Sequence, residues 1–514
     1  MVCWGSLNCE GLSPGPCCLF RTGTQQWRDG MKSKPRLTVL SEEQIYSIHQ
    51  AALEILWETG VLVKAPAARD LLRKAGARVD DETSLCRIPG YIIEEALQRA
   101  PSSFTVHARN PDNDVHVSTQ AVHYEPMIGR LNCYDYGTGL THRTTLEDVG
   151  QLVKLADALP SYHLLHSGAI MPQIDGVPIR ATHVYGYLES VRNSSKVVKA
   201  TSRERIMAED CLRMAAVIVG GEDELRRRPF TFTTDNPVAP LHHDRDQMEG
   251  ALEFARYGQP IDVTSEPQAG ATSPVTLAGL LAQQTADVIS GIAIIQLANP
   301  GNPVWYGTCG SIMDLRLGRI AIGAVEMGLI NVASAQIAHH YNIPCRGTAS
   351  ATDSKLLDIQ AGYEKALVLT MAVLGGVNKI FYPGTMEGAL TVSKESLVID
   401  DEIITGLYRV SDGIDVNATT LATDVIHKVG PGGHFLGQRH TMKFVESEHF
   451  LPLLSDRRTR DLWVEAGSKG MADRAHERVT QILAEHQVVA LDSAVEAELE
   501  RIVHEVEERE AHRS

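Results

Sequence analysis

One pattern limits the fold more than any other: from about residue 143 to 440, short apolar or β-branched runs alternate with long helical stretches. Eight runs are predicted as strands, at 161–169, 195–201, 229–235, 260–265, 303–308, 343–349, 379–385 and 421–429. The spacers include helical segments at 275–298 and 318–341, rich in Ala, Leu, Ile and Gly. Strands and helices alternating eight times predict an α/β fold, a TIM (β/α)8 barrel over 143–440. The alternative is a doubly wound open sheet. It is disfavoured because no strand leads into a GxGxxG turn.

The flanks read differently. Ser41 and Gln44 form a capping box for a helix over 41–58, with Ile45, Ile48, Ala52 and Leu56 on one face. Short helices follow at Asp70–Ala75 and Tyr91–Arg99. Phe104–Ala108 and Val115–Val117, joined through the turn residues 110–114, predict a hairpin. Residues 31–142 are thus expected to form a small α+β N-terminal region without a catalytic motif. Residues 441–514 are expected to form a helical C-terminal extension, with Val495, Leu499, Ile502 and Val506 as its apolar stripe. Residues 1–30 lack periodicity, a basic n-region and a continuous apolar h-region, so they do not read as a signal peptide. They are expected to be a disordered leader, with Met31 as the natural start.

Charge narrows the partners. With 48 Lys+Arg against 64 Asp+Glu the net charge is −16, which argues against a nucleic-acid partner. No apolar run in the sequence reads as long enough for a bilayer crossing of about 20 residues, so no membrane partner is expected. The nine cysteines, four of them at Cys3, Cys9, Cys17 and Cys18, show no CxxC spacing. They suggest neither a disulfide framework nor a zinc knuckle, and a cytoplasmic location is expected.

In a TIM barrel the chemistry sits at the C-terminal ends of the strands. The polar residues predicted there are His166, Ser167, Thr201, Ser202, Asp235, Asn236, Glu266, Gln268, Tyr306, Cys309, Ser350, Thr352, Asp353 and Glu387. Gly430, Gly432, Gly433 and His434 complete the set after the last expected strand. Glu266 and Glu387 can hold a cationic amine or serve as acid and base, or each can be satisfied by a neighbouring Arg or Lys. Trp305 and Tyr306 offer an aromatic face for a quaternary ammonium, or plain core packing. The Gly430–Gly433 amides can cradle an anion, or serve as an ordinary glycine-rich turn. His339, His340, His242, His243, Cys309 and Cys345 are not spaced to chelate, so no metal is expected.

Five longer runs carry a family resemblance: Ser265–Gly279 (SEPQAGATSPVTLAG), Gln296–Gly307 (QLANPGNPVWYG), Asp353–Glu364 (DSKLLDIQAGYE), Leu397–Glu402 (LVIDDE) and Gly430–Leu436 (GPGGHFL). From about Leu40 onward the chain resembles the trimethylamine methyltransferase family. The resemblance implies a TIM barrel that transfers methyl from an amine to the Co(I) of a corrinoid held by a separate protein. The archaeal trimethylamine enzymes carry pyrrolysine after the sixth of the expected strands. Here the corresponding Gly347–Asp353 segment holds only standard residues. Members without pyrrolysine are associated with quaternary amines such as glycine betaine. Glu266 stands where the family suggests an apolar residue, often Met.

The resemblance therefore implies a quaternary-amine:corrinoid protein methyltransferase. Asp353 and Glu387 are the expected catalytic residues, and Glu266, Gln268, Tyr306 and Ser350 the substrate-binding ones. Gly430, Gly432, Gly433 and His434 are expected on the cofactor side, and a homo-oligomer is expected. The other readings are a hydrolase or lyase using Asp353 with Glu387, and a non-catalytic amine-binding protein.

Overall fold

The computed structural model describes residues 31–32, 37–166 and 174–513. The expected leader and Ser167 lie outside the described residues. Eight short strands form the centre: β1 (Ala121–Glu125), β2 (Leu164–His166), β3 (Val197–Lys199), β4 (Thr233–Asp235), β5 (Ile261–Ser265), β6 (Val304–Thr308), β7 (Cys345–Thr348) and β8 (Lys379–Phe381). Strands β4 to β8 pair in parallel in chain order, and β8 pairs in parallel with β1 through Lys379 opposite His123. Strands β2 and β3 are parallel, and β3 meets β4 at a bridge between Lys199 and Phe232. Beside β1, His163 N–H donates to Tyr124 O at 3.1 Å, just ahead of β2. The architecture is α/β and TIM-barrel-like.

One helix follows each strand on the outside: α1 (Leu146–Ala158), α2 (Thr182–Asn193), α3 (Arg205–Val219), α4 (Arg245–Arg256), α5 (Leu277–Ala298), α6 (Val325–His340), α7 (Ile359–Gly375) and α8 (Lys394–Asp412). Their inward stripes are Ala, Val, Leu and Ile, which bury against the strand backs. Helix α5 has the length and apolar character of a membrane span, which corrects the sequence-based expectation that no such run exists. Most of it is buried against the strands and against the N-terminal helices Glu42–Glu54 and Gly90–Arg99.

The flanking elements follow their patterns. The Ser41–Gln44 capping box forms, and Ile45, Ile48, Ala52 and Leu56 are buried. The hairpin pairs Ser103–Val106 with Val115–Ser118. Its Phe104 ring lies 4.9 Å from that of Trp305, so the hairpin closes the N-terminal end of the strand bundle. The final helix, Ser493–Ala511, buries Leu499, Ile502 and Val506. Arg509 anchors it with two hydrogen bonds to Asp210 on α3, at 2.8 and 2.7 Å.

Two strand expectations are corrected together. The segment 421–429 is not a strand; it falls in two short helices, Ala418–Leu421 and Thr423–Val429. The Asn417 side chain accepts from the Thr419 and Thr420 amides and starts the first turn. The missing strand is Ala121–Glu125, which had been expected within the N-terminal region. Its sequence, AVHYE, conceals its position because its carboxylate is neutralised only by residues far away in the chain. The Gly347–Asp353 loop consequently follows the seventh strand rather than the sixth.

Candidate active site at the barrel mouth

The interior begins with an apolar floor. Leu164, Val197, Phe232 and Trp305 pack together there, with the hairpin beneath them. Lys379 stands on this floor, its Nζ 4.5 Å from the Phe232 ring centroid and 4.2 Å from that of Trp305. The ammonium also lies 2.9 Å from Asp262 and 3.3 Å from Glu125. Asp262 in turn lies 3.3 Å from Arg346 Nε and accepts from Thr264 Oγ1 at 2.5 Å. His166 Nδ1 lies 3.0 Å from Glu125 Oε1. These groups have almost no solvent exposure, so each charge depends on the others. Gly307 makes room for them: a Cβ there would collide with Thr264 Oγ1 and Asp262 Oδ1.

The electrostatics follow from this packing. Burial alone would raise the Glu125 carboxyl, but Lys379 and His166 hold it well below the carboxylate range. Burial, aided by Lys199, pushes the His166 imidazole down to about 3, so it is neutral at neutral pH. Burial likewise lowers Lys199 to about 8.

Above this layer Arg346 organises the mouth. Its Nη1 donates to Thr308 O at 3.0 Å, Thr348 Oγ1 at 3.0 Å and Cys309 Sγ at 2.8 Å. Its guanidinium carbon lies 4.5 Å from the Phe381 ring centroid. Glu266 continues from the end of β5. Protein surrounds it closely enough for burial to raise its pKa, against the opposing pull of Arg346, Arg130 and Cys309. The residue nevertheless keeps solvent-accessible surface. Both observations fit a carboxylate at the rim of the barrel mouth. Phe381 and Tyr382 stack obliquely nearby, with centroids 4.6 Å apart. Arg130 Nη2 lies 3.3 Å from Tyr382 Oη, and its guanidinium carbon is 5.3 Å from that ring.

The expected site residues divide into three groups. Glu266 reaches the mouth, together with His166 and Cys309. Gln268 is half-buried in a short strand pairing with Ser311–Ile312, and its N–H donates to Thr272 Oγ1 at 2.9 Å. Ser350, Asp353 and Glu387 belong to two loops joined by Gly388 N–H donating to Thr352 O at 2.9 Å. Ser350 and Glu387 have positive φ, 66° and 55°. The Ser350 carbonyl accepts from the buried Lys365 ammonium at 2.7 Å. The Asp353 carboxylate accepts the Ile322 and Gly323 amides at 3.3 and 2.9 Å. Glu387 Oε2 accepts from Thr391 Oγ1 at 2.7 Å. Both carboxylates brace loops.

The third group is displaced from the mouth. Tyr306 points away from the interior, its hydroxyl 2.9 Å from Thr285 Oγ1 on α5. The strand alternation that turns Trp305 inward turns Tyr306 outward, which corrects its assignment as a substrate contact. Gly430, Gly432, Gly433 and His434 lie on the outer surface after a helix, Gly430 half-buried and the others exposed, rather than in a loop after a barrel strand. Their expected place at the cofactor side of the mouth depended on the strand that does not form.

The residues missed by sequence reasoning are Glu125, Lys199, Asp262, Arg346, Lys379 and Arg130. All but Arg130 share a signal: an isolated charge inside an otherwise apolar or β-branched strand run. Among the described residues, Cys133, His142 and Asp148 place ligand-type atoms within 4.8 Å of one another. Asp148 is already engaged there by the α1 cap and by Lys394 at 3.2 Å.

Comparison with known proteins now bears on this geometry. The model of the family described as trimethylamine methyltransferase (MTTB) matches residues 20–511. The chain belongs to the trimethylamine methyltransferase family. It is thus an enzyme of the methyltransferase class. A glycine betaine methyltransferase of Desulfitobacterium hafniense (strain Y51) is 35% identical over 470 residues, covering 91% of this chain and 97% of the relative. The trimethylamine methyltransferase MttB of Methanosarcina thermophila is 34% identical over 463 residues, covering 89% and 95%. Among solved structures, the Methanosarcina barkeri monomethylamine methyltransferase (MtmB) aligns with a TM-score of 0.51 at 13% identity, over 90% of this chain and 92% of that one. That likeness concerns the fold alone. This family member carries its ion network inside the strand bundle and its open carboxylate, Glu266, at the mouth.

Proposed function

We propose that this methyltransferase moves a methyl group from a quaternary amine, such as a betaine, to the Co(I) of a corrinoid carried by a partner protein. Glu266 carries the reading: it is a carboxylate with accessible surface at the mouth, within electrostatic reach of Tyr382. A quaternary ammonium suits a wall of carboxylate and aromatic faces. The Gly347–Asp353 loop supplies only standard side chains. A quaternary nitrogen leaves as a neutral amine, so its displacement needs no added electrophile.

The corrinoid supplies the nucleophile that takes the methyl carbon. The chain's own task is to hold the C–N bond in line and exclude competing poses. Glu266 opposes the positive nitrogen. That charge fades as the C–N bond breaks, so Glu266 strengthens substrate binding more than the transition state, and its removal shows mainly in KM. Arg346 fixes the Thr308, Cys309 and Thr348 edge of the mouth. Asp353 and Glu387 position the two loops that carry Ser350 and Gly388, and Gln268 faces the substrate from the β5 side.

The test is methylation of cob(I)alamin, or of a cognate corrinoid protein, followed by absorbance with glycine betaine, proline betaine, carnitine and trimethylamine. The proposal expects transfer from a quaternary amine. Silence across the panel with folded protein and corrinoid partner would overturn it.

A further inference from the structure

After α8 the chain leaves the barrel and builds no core of its own. Across residues 413–470 only Ala422 and Leu454 are buried, and the four short helices there bury nothing. The segment is tied back near its end, where Glu402 of α8 accepts the Leu453 amide at 2.7 Å and the Ser455 amide at 2.8 Å. Eleven of its large apolar side chains stand exposed, among them Ile414 at 85%, Leu436 at 73% and Met442 at 76%. At roughly 60–100 Å² apiece they keep on the order of 900 Å² of apolar surface in water, where a stable interface needs about 800 Å² per partner. Apolar surface of this extent marks a protein contact.

The same chain carries a second uncovered apolar surface, on the outer side of α6 and α7. Helix α7 has only two charged residues, Glu364 and Lys365, and both are buried, bonded to Thr352 and Asp400. Its outward side instead presents Ile359, Tyr363 and Leu367 at i, i+4 and i+8, with Ile359 88% exposed. Solvent-facing positions of a barrel helix are ordinarily charged or polar. Helix α6 packs closely on α7, Gly328 leaving room for Met371, and its Val325 and Leu329 are exposed as well. No described residue covers either surface.

We infer that two copies of this chain exchange arms, residues 413–470 of each lying on the α6–α7 face of the other. Charge favours a second copy as the occupant. The arm carries seven acidic and seven basic residues, so all of the −16 net charge lies elsewhere. Two copies with that charge repel unless they meet through surfaces without net charge, and the arm and the α7 face are such surfaces. Reciprocity favours it too. A two-fold pair brings each arm to the other copy's face, so one arrangement covers both surfaces on both copies. The inference does not depend on the proposed reaction.

The test is sedimentation of the full chain at micromolar concentration. The native chain should run as a dimer or as an assembly of dimers. Ile359→Asp with Tyr363→Asp charges the face, and Leu436→Asp with Met442→Asp charges the arm. These side chains are exposed within one copy, and an acid at Ile359 suits the first turn of α7, so circular dichroism should stay native. Each pair should raise the dissociation constant of the dimer at least about 100-fold. A monomeric native chain, or either pair associating as the native chain does, would overturn the exchange.

Mixing the two variants separates arm exchange from any other interface. Their heterodimer retains one intact contact, the unaltered arm of the face variant on the unaltered face of the arm variant. The equimolar mixture should therefore associate at least about tenfold more tightly than either variant alone. A mixture that associates no better than its components overturns the exchange, because the two surfaces then do not meet. Leu367→Asp in the face and Leu453→Asp in the arm repeat the comparison should either first pair fail to fold.

Discussion

Lys379 Nζ and Asp262 Oδ2 lie 2.9 Å apart inside the barrel, tying β8 to β5 although β6 and β7 separate them in the sheet. The bond crosses the interior, and Lys379 also holds Glu125 on β1. Replacing Lys379 by Met leaves two buried carboxylates without their main cation. Loss of one partner from such a pair costs about 3–5 kcal/mol. Guanidinium unfolding of Lys379→Met should show a loss of that size. Adding Asp262→Asn should recover part of it, because one of the orphaned charges is then gone.

Tyr306 gives the opposite expectation. Its hydroxyl bonds Thr285 in the helical layer, away from the mouth. Tyr306→Phe should cost about 1 kcal/mol of stability, measured by denaturant midpoint, and leave KM for the methyl donor unchanged.

Glu266 predicts a pH dependence. Its pKa is raised by burial, so the carboxylate is charged above that raised value and neutral below it. Affinity for a cationic amine should therefore hold at higher pH and fall as the pH drops through that value. In Glu266→Gln this limb of the KM profile should flatten and KM should rise, with the circular dichroism spectrum unchanged.

Asp287, on α5, predicts the reverse sign for stability. Burial raises it from 3.8 to about 6, although Ser265 and the Leu241 amide hydrogen-bond to it. Between those values the folded chain holds a proton that the unfolded chain releases. Its contribution is full below about pH 4 and declines as pH rises toward 6. Asp287→Asn should remove that decline from a stability profile recorded between pH 4 and 7.

The barrel pattern was legible because seven strands are apolar or β-branched runs between long helices. Ala121–Glu125 was not, since AVHYE becomes a buried strand only when Lys379, more than 250 positions later, neutralises Glu125. The run 421–429 misled for the converse reason: its β-branched residues suit a strand, but the Asn417 cap and a surface position favour short helices. Glu266 could be read because it follows a clear strand directly. The outward turn of Tyr306 was settled by register, which a one-residue shift inverts. The pairing of Arg130 with Tyr382 depends on a contact across the fold that local sequence does not encode.

The most direct measurement of the central claim follows the methyl group itself. Glycine betaine labelled with 13C in its N-methyl groups is incubated with the chain, cob(I)alamin and a cognate corrinoid protein. The account predicts labelled methylcobalamin and dimethylglycine in equal amounts, each dependent on the chain. Loss of glycine betaine without labelled methylcobalamin, or no turnover of any quaternary amine by folded protein with its corrinoid partner, would contradict it.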